Sequence, residues 1–600
     1  MKEKYICTGN EMISLPCINE KDASILDFTM LHMGYKGLID VRGTMEQPLF
    51  TPVVRIDGEK VEFTDITWHK DNYWIPSFEV TNKQLSIRGI ILAPIGERGF
   101  SYQLKVKNLD TSIKNISIGF EGTWSKTYHS INEDKEIRAD RYVYESGWNH
   151  SLVFDLRIGV SVFAFAPMFS EEMMTNYSNT AEGISYEFMN QLELAPGDCK
   201  VLDSFWGMGV EEVAATTSAK EMYRAGFDKE LLKTKNWLTK RYIELTEDSL
   251  KEIFHHNLFF NFFYASGITI DTEELVLVTS RSPRYYVSAA YWDRDSLLWS
   301  FPSILLVDQD HAKQMLLYVF GRQRKNLGIH SRYIDGTVLE PGFELDELCA
   351  PVIALYNYVK ETGEEQFLDY DCVKEGIALI LRRLREKRNE ETALYETFLQ
   401  PTDDMHVYPY LTYDNVLVWR MLKNLIELFK DRWSKDTLQN LENEAVFIYL
   451  DIFKHCVKNY EGVDIFAWSV DLKGKWDVYD EPPGSLQLMP FYGFLEADNE
   501  IYQNTVKVIR SPEYPYSFHD SPIAEIGCPH APHPWVLSIA NSLLCGRTER
   551  SKKILQKLKM DNGVACESVD EITGESTTGD AFATCAGFLA YAIYNAFHVK

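Results

Sequence analysis

Hydrophobic positions change their period once along this chain. From the N-terminus to about Ser204, apolar and polar residues alternate in steps of two, as in LSIRGIILAPIGERGFSYQLKVKNLDTSIKNISIGFEGTW, with turn signals at Pro-Ile-Gly and Asn-Leu-Asp. Such strands, repeating about every 8 to 12 residues without long helical windows, predict an antiparallel β-sandwich. The apolar run GVSVFAFAPMF, ending before Ser170, is too short to cross a membrane and reads as a buried strand. Residues 214–245 are rich in Lys, Glu, Leu and Ala at helical spacing and predict a helical linker. From about Thr246 onward, apolar positions recur every three or four residues in segments such as LKEIFHHNLFFNFFYASG, NVLVWRMLKNLIELFKDRW and FATCAGFLAYAIYNAF. The expected organisation is a β-sandwich over 1–213, a helical linker over 214–245, and a helical domain over 246–600. No fixed-period repeat favours a solenoid, so paired helices, about 12 in all, are expected to form a toroid.

Composition narrows the function classes. The 600 residues exceed one ordinary core. Lys and Arg total 61 against 88 Asp and Glu, a net charge of −27 that disfavours nucleic acid and anionic membranes as partners. Aromatic residues make up 13% of the chain, which suits either an aromatic core or sugar-stacking surfaces. Ten irregularly spaced cysteines and an opening without a secretory leader read as a reduced, cytoplasmic protein. There is no phosphate-cradling glycine loop, dinucleotide fingerprint or GxSxG elbow, and no cofactor is expected.

Two acidic motifs stand out. Asp403 and Asp404 precede a Pro-bearing aromatic loop, MHVYPYLTY, and Glu567 sits in ACESVDEITGE. Hydrolysis of a sugar acetal needs an acid for the leaving oxygen and a second carboxylate for water, which a pair of this kind could supply. Either could equally be an ordinary loop or capping acid, and Asp414 is expected to cap the helix it precedes. In YWDRDSLLW, Arg294 and Asp295 beside Trp292 could grip hydroxyls and stack on a sugar ring, or form an internal ion pair at a helix start. Cys528, His530 and His533 lie close in sequence, but no second paired-ligand segment accompanies them, so no metal site is expected and a substrate-binding histidine is favoured.

The helical half is similar, in order, to the metal-independent exo-α-1,6-mannosidases of glycoside hydrolase family 125. The matching blocks are YWDRDSLLW, FELDELCAPVIALYNYVKETGE, FLQPTDDMHVYPYLTYDN, EPPGSLQLMPFYGFLEADNEIY, IGCPHAPHPWVLSIANSLL and ACESVDEITG. The first 200 or so residues do not share this resemblance; a β-sandwich ahead of a helical barrel resembles instead the glucoamylases, glucosidase I-like enzymes and disaccharide phosphorylases. The resemblance implies an (α/α)6 barrel with an Asp of the PTDD loop as general acid and Glu567 as general base; of the two aspartates Asp404, the later in the loop, is taken as the acid with Asp403 orienting it, the reverse assignment staying open. It further implies that Arg294 and Asp295 grip the terminal sugar, with Glu344, Asp346 and His530 lining the same pocket. A Met-His pair follows the aspartates where the family carries small residues, EPP replaces a carboxylate-rich stretch beside Asp480, and Cys566 replaces a histidine. These departures touch the substrate-facing loops. The expected activity is inverting, exo-acting release of a monosaccharide, best matched by mannose, from an α-linked oligosaccharide. The pair should lie about 6.5 to 9.5 Å apart, and burial near Glu567 should favour a protonated Asp404. An α-glucosidase, a phosphorylase and a non-catalytic carbohydrate-binding protein remain the alternatives, and a homo-oligomer stays open.

Overall fold

The computed structural model describes residues 3–599. By internal packing the chain divides into two units. The first comprises Met1–Tyr242 with Ser266–Val276 and Ser280–Ala289, and the second Ile243–Ala265, Leu277–Thr279 and Ala290–Lys600.

The first unit is built from antiparallel sheets of six, eight and five strands. Alternation sets their register: Gly99–Asn108 pairs with Cys199–Gly209 from Gly99↔Gly207 to Lys107↔Cys199 without a slip. Inward-facing aromatics from the sheets and an adjoining loop share one core. Phe28 meets Phe165 edge-on at 5.4 Å, Phe154 stacks on Phe165 at 4.6 Å, and Phe50 meets Trp206 at 4.6 Å. Each such pair adds about 0.5–1.5 kcal/mol beyond the area it buries. The run GVSVFAFAPMF forms the strand Val160–Phe169, buried through its middle. Among the described residues no helix is long and apolar enough to cross a membrane.

The segment after the last strand of this unit forms two helices, Glu212–Ala225 and Phe227–Thr239, separated at Gly226 (φ 83°). The first lies directly on strand Cys199–Gly209. At Gly207 a Cβ would stand 2.2 Å from the Ala219 backbone nitrogen, so only glycine admits this approach.

The second unit is helical. Its principal helices include Lys251–Tyr264, Leu345–Thr362, Asp371–Glu386, Thr412–Phe429, Lys435–Asp451, Val536–Leu544 and Ala583–Phe597. The last of these packs on the first, Lys251–Tyr264, and Leu345–Thr362 packs on Thr412–Phe429. Small residues allow the closure: a Cβ on Gly587 would lie 2.6 Å from the Asn261 side chain. The apolar run that begins at Asp295 does not form one helix. It opens as a π-helical turn, Arg294–Ser300, continues as Phe301–Val307, and breaks at Asp308, whose side chain accepts from His311 N–H (2.9 Å) to start Gln309–Tyr318. A π turn inside a helix often marks a functional site, and here it carries Arg294 and Asp295.

Candidate active site

Arg294 lies at the centre of a cluster of acids. Its guanidinium is 2% exposed and donates to Asp346 (2.9 Å), Glu344 (3.3 Å) and Asp403 (2.6 Å), with Asp295 3.7 Å from its Nε. Glu344 is the residue before helix Leu345–Thr362, and Asp346 and Glu347 occupy its first turn, where the helix dipole favours negative charge. Glu347 turns to the backbone and accepts from the N–H groups of Asp293 and Arg294, fixing the start of the π turn. His330, on strand Ile329–Arg332, meets Glu344 at 2.7 Å and Asp403 at 3.5 Å. Burial alone would lower its pKa, but hydrogen bonds to Glu340 and Glu344 and the charge of Asp403 push it up to about 11. Burial raises Glu344 and Asp295 to about 7 each, against the opposing pull of His330 and Arg294 respectively. Thr584 donates to Asp295 at 3.0 Å.

Asp403 and Asp404 sit on a tight hairpin. His406 Nε2 lies 3.0 Å from the Thr397 carbonyl, Gln400 N–H donates to the Asp404 carbonyl (3.0 Å), and Asp403 N–H donates to the Gln400 carbonyl (2.8 Å). Asp403 holds φ 65°, a left-handed conformation that Asp tolerates better than most residues. Glu481 grips the hairpin from below, accepting from Thr402 N–H (2.8 Å), the Thr402 hydroxyl (2.9 Å) and the Tyr479 hydroxyl (3.1 Å). Burial pushes the Glu481 carboxyl up to about 8 although those donors favour its ionised form.

The two aspartates diverge. Asp403 faces Arg294 and His330, whereas Asp404 lies 3.1 Å from His530 Nδ1, and the other nitrogen of that ring lies 3.6 Å from Glu567. One imidazole thus stands between the two carboxyl groups. The Glu567 side chain is 4% exposed and that of Asp404 45%. The burial expected around Asp404 is therefore found at Glu567 instead, because Asp404 projects from a hairpin tip while Glu567 is held at a bend by backbone hydrogen bonds with Val536 and Gly579.

Other expected residues lie in different surroundings from those the sequence suggested. Trp292, read as a sugar platform, is 3% exposed and sits edge-on to His330 at 5.8 Å, its indole N–H buried without a hydrogen-bond partner. Asp414, expected to cap its helix, lies inside Thr412–Phe429 with Leu411 at the cap position. Its carboxyl is fully buried, accepts no hydrogen bond, and is held well above the usual range by burial and by Asp346 and Glu344. His533 turns to Glu571 (3.2 Å) and away from the His530 contact with Asp404, so Cys528, His530 and His533 form no ligand set among the described clusters. His330, Glu344 and Asp403 do place three ligand atoms within 4.8 Å of one another. The Arg294 guanidinium already supplies the positive charge between Glu344 and Asp403, which leaves a metal ion little to neutralise there.

His330, Glu347, Glu481 and Thr584 were not singled out by sequence reasoning. Glu347 and Glu481 fall within the matched blocks FELDELCAP and EPPGS, a signal that could have found them. His330 and Thr584 carry no local signal.

Residues 386–594 match the family model of metal-independent alpha-mannosidase (GH125). That stretch holds Asp403, Asp404, Glu481, His530 and Glu567; Arg294, Glu344 and Asp346 precede it. The meiotically up-regulated gene 157 protein of Schizosaccharomyces pombe is 28% identical over 199 residues, 32% of this chain and 39% of that protein. The chain thus spans about two fifths of that relative's length. Among solved structures, a bacterial glucoamylase complexed with acarbose aligns over 99% of this chain and 95% of its own, at 13% identity and TM-score 0.65. A human-microbiome protein assigned as a kojibiose phosphorylase aligns over 99% and 86%, at 10% identity and TM-score 0.62. These likenesses show the fold: antiparallel β-sheets followed by a glucoamylase-like (α/α)6 barrel.

Proposed function

We propose that this chain, a glucoamylase-like (α/α)6 protein whose residues 386–594 match the GH125 model, is an inverting exo-acting glycoside hydrolase that releases a monosaccharide, best matched by mannose, from α-linked oligosaccharides. The observation that carries the reading is the single imidazole of His530 between Asp404 and Glu567. One ring and two polar contacts between the carboxyl groups are compatible with the about 6.5–9.5 Å of inverting pairs, which leave room for a water molecule.

Asp404 donates a proton to the leaving oxygen, its exposed position giving a bound glycoside direct access. Glu567 accepts a proton from the water that attacks the opposite face of the sugar, and His530 lies where it can hydrogen-bond to both groups. Arg294, with Glu344, Asp346 and Asp403, holds the hydroxyls of the terminal sugar. Ten cysteines without a disulfide suit a reducing cytoplasm.

Glu567→Gln should abolish turnover of α-mannosides in the folded protein, and NMR of the first product should show the inverted anomer without any need for phosphate. Strict phosphate dependence would replace hydrolysis with phosphorolysis. Asp404→Asn should lose most activity on disaccharides yet keep it on aryl glycosides with acidic leaving groups, which need no acid. If Asp403→Asn shows that leaving-group dependence instead, the acid is the other aspartate.

A further inference from the structure

The β-sheet unit carries a groove of about 450 Å³, within the ~300–1,000 Å³ range of small-molecule sites. Its walls include Glu121, Thr123, Asn176, Tyr177, Ser185 and Glu187. Strand register places these groups side by side: Glu121 opposes Glu187, Thr123 opposes Ser185, and Asn176 opposes Glu187. The Thr123 and Ser185 hydroxyls touch at 3.0 Å. A row of carboxylates and a row of hydroxyls therefore run across neighbouring strands, with residues two apart sharing a face.

The chemistry of the lining excludes most ligands. Three glutamates, Glu46, Glu121 and Glu187, repel anions. A metal ion is disfavoured because Arg55 already pairs with Glu187 (2.7 Å) and Glu121 (3.5 Å), and Lys60 with Glu121 (2.8 Å). These pairs fix both carboxylates in place while leaving acceptor positions open, since the side chains stay 33% and 29% exposed. The hydroxyls and the Asn176 amide both donate and accept, which an apolar ligand could not use. Tyr177 opposes the buried Tyr186 and so stands on the other face of the sheet from this row, whose members are Glu121, Thr123, Asn176, Ser185 and Glu187. Oriented carboxylates, paired hydroxyls and an amide match a neutral polyhydroxylated ligand.

We infer that this groove is a second, non-catalytic binding site for a neutral oligosaccharide. It is formed wholly by the β-sheet unit, so it does not depend on the chemistry proposed for the barrel.

The test is calorimetric titration of the full-length Glu567→Gln protein with α-1,6-linked mannotriose and, separately, maltotriose. At least one of the two should bind at a site that Asn176→Ala weakens by about tenfold or more. Glu187→Gln should act in the same direction. In the otherwise unaltered chain, the same two substitutions should leave aryl-glycoside turnover within about twofold, which also reports that they fold. The inference is overturned if neither sugar binds at a site that Asn176→Ala and Glu187→Gln weaken. If the barrel proves inactive, the Asn176-dependent site should still titrate on its own, so the two readings fail separately.

Discussion

Glu481 is fully buried, and two of its three donors, the N–H and hydroxyl of Thr402, tie it to the residue immediately before Asp403, the third being the Tyr479 hydroxyl. Removing the carboxyl would leave Thr402 N–H and two hydroxyls to find other partners, at about 1–3 kcal/mol for each group left unsatisfied. Glu481→Ala should therefore lower kcat on disaccharides by about tenfold or more while KM changes little. It should lower aryl-glycoside turnover much less, because what is displaced is the hairpin that presents Asp404. Glu481→Gln, which keeps an acceptor, should restore most of the rate. Equal losses on both substrate types would mean that Glu481 only stabilises the fold. At this scale the sequence was unevenly informative. Asp403, Asp404 and Glu567 are ordinary loop acids by themselves and stand out through the resemblance of their blocks to a known family. His330 and Glu481 gain their roles from partners that only the folded chain brings near. Trp292 reads as an exposed aromatic beside charged residues until its burial against His330 is seen.

Elements were more legible than their breaks. The shift from a two-residue to a three-to-four-residue period marks where strands give way to helices, because it follows from which face each element buries. The π turn at Arg294 and the break at Asp308 escaped that reading, since both leave the apolar spacing almost unchanged and depend on backbone hydrogen bonds. The fit of helix Glu212–Ala225 on its strand escaped it too, although Gly207 stands plainly in the sequence. Gly207→Val should expose that fit: the added atoms would meet the Ala219 backbone, which cannot move aside as a side chain can. A loss of about 1–3 kcal/mol or more is expected, read as a thermal midpoint lower by several degrees. An unchanged midpoint would show that helix and strand can separate without penalty.

For the molecule as a whole, buried acids dictate how stability follows pH. Asp295, Glu344 and Asp480 are raised by burial to about 7 and Glu481 to about 8. Each binds its proton more tightly folded than unfolded, so its contribution is complete below about pH 4 and is lost as pH rises through the folded value. His330, raised to about 11, has the same sign over a higher range. Asp271 acts oppositely. Burial resists its ionisation, yet hydrogen bonds from His32, Gly34 and Met33 hold it down to about 2, so its contribution is lost only in acid. Thermal unfolding should therefore show higher stability at about pH 6 than at about pH 8.5, and Glu481→Gln should narrow that difference. Superimposable pH curves for the two proteins would remove Glu481 from the explanation.

The packing of Ala583–Phe597 on Lys251–Tyr264 has a consequence for biosynthesis. The opening helix of the barrel emerges from the ribosome long before Ala583–Phe597, and until then the part of its Phe-rich surface that this last helix covers stays open. Contacts so distant in sequence form slowly. The barrel should therefore complete itself only after translation has passed Phe597, with the nascent helical segment exposed to chaperones and proteases in the interval.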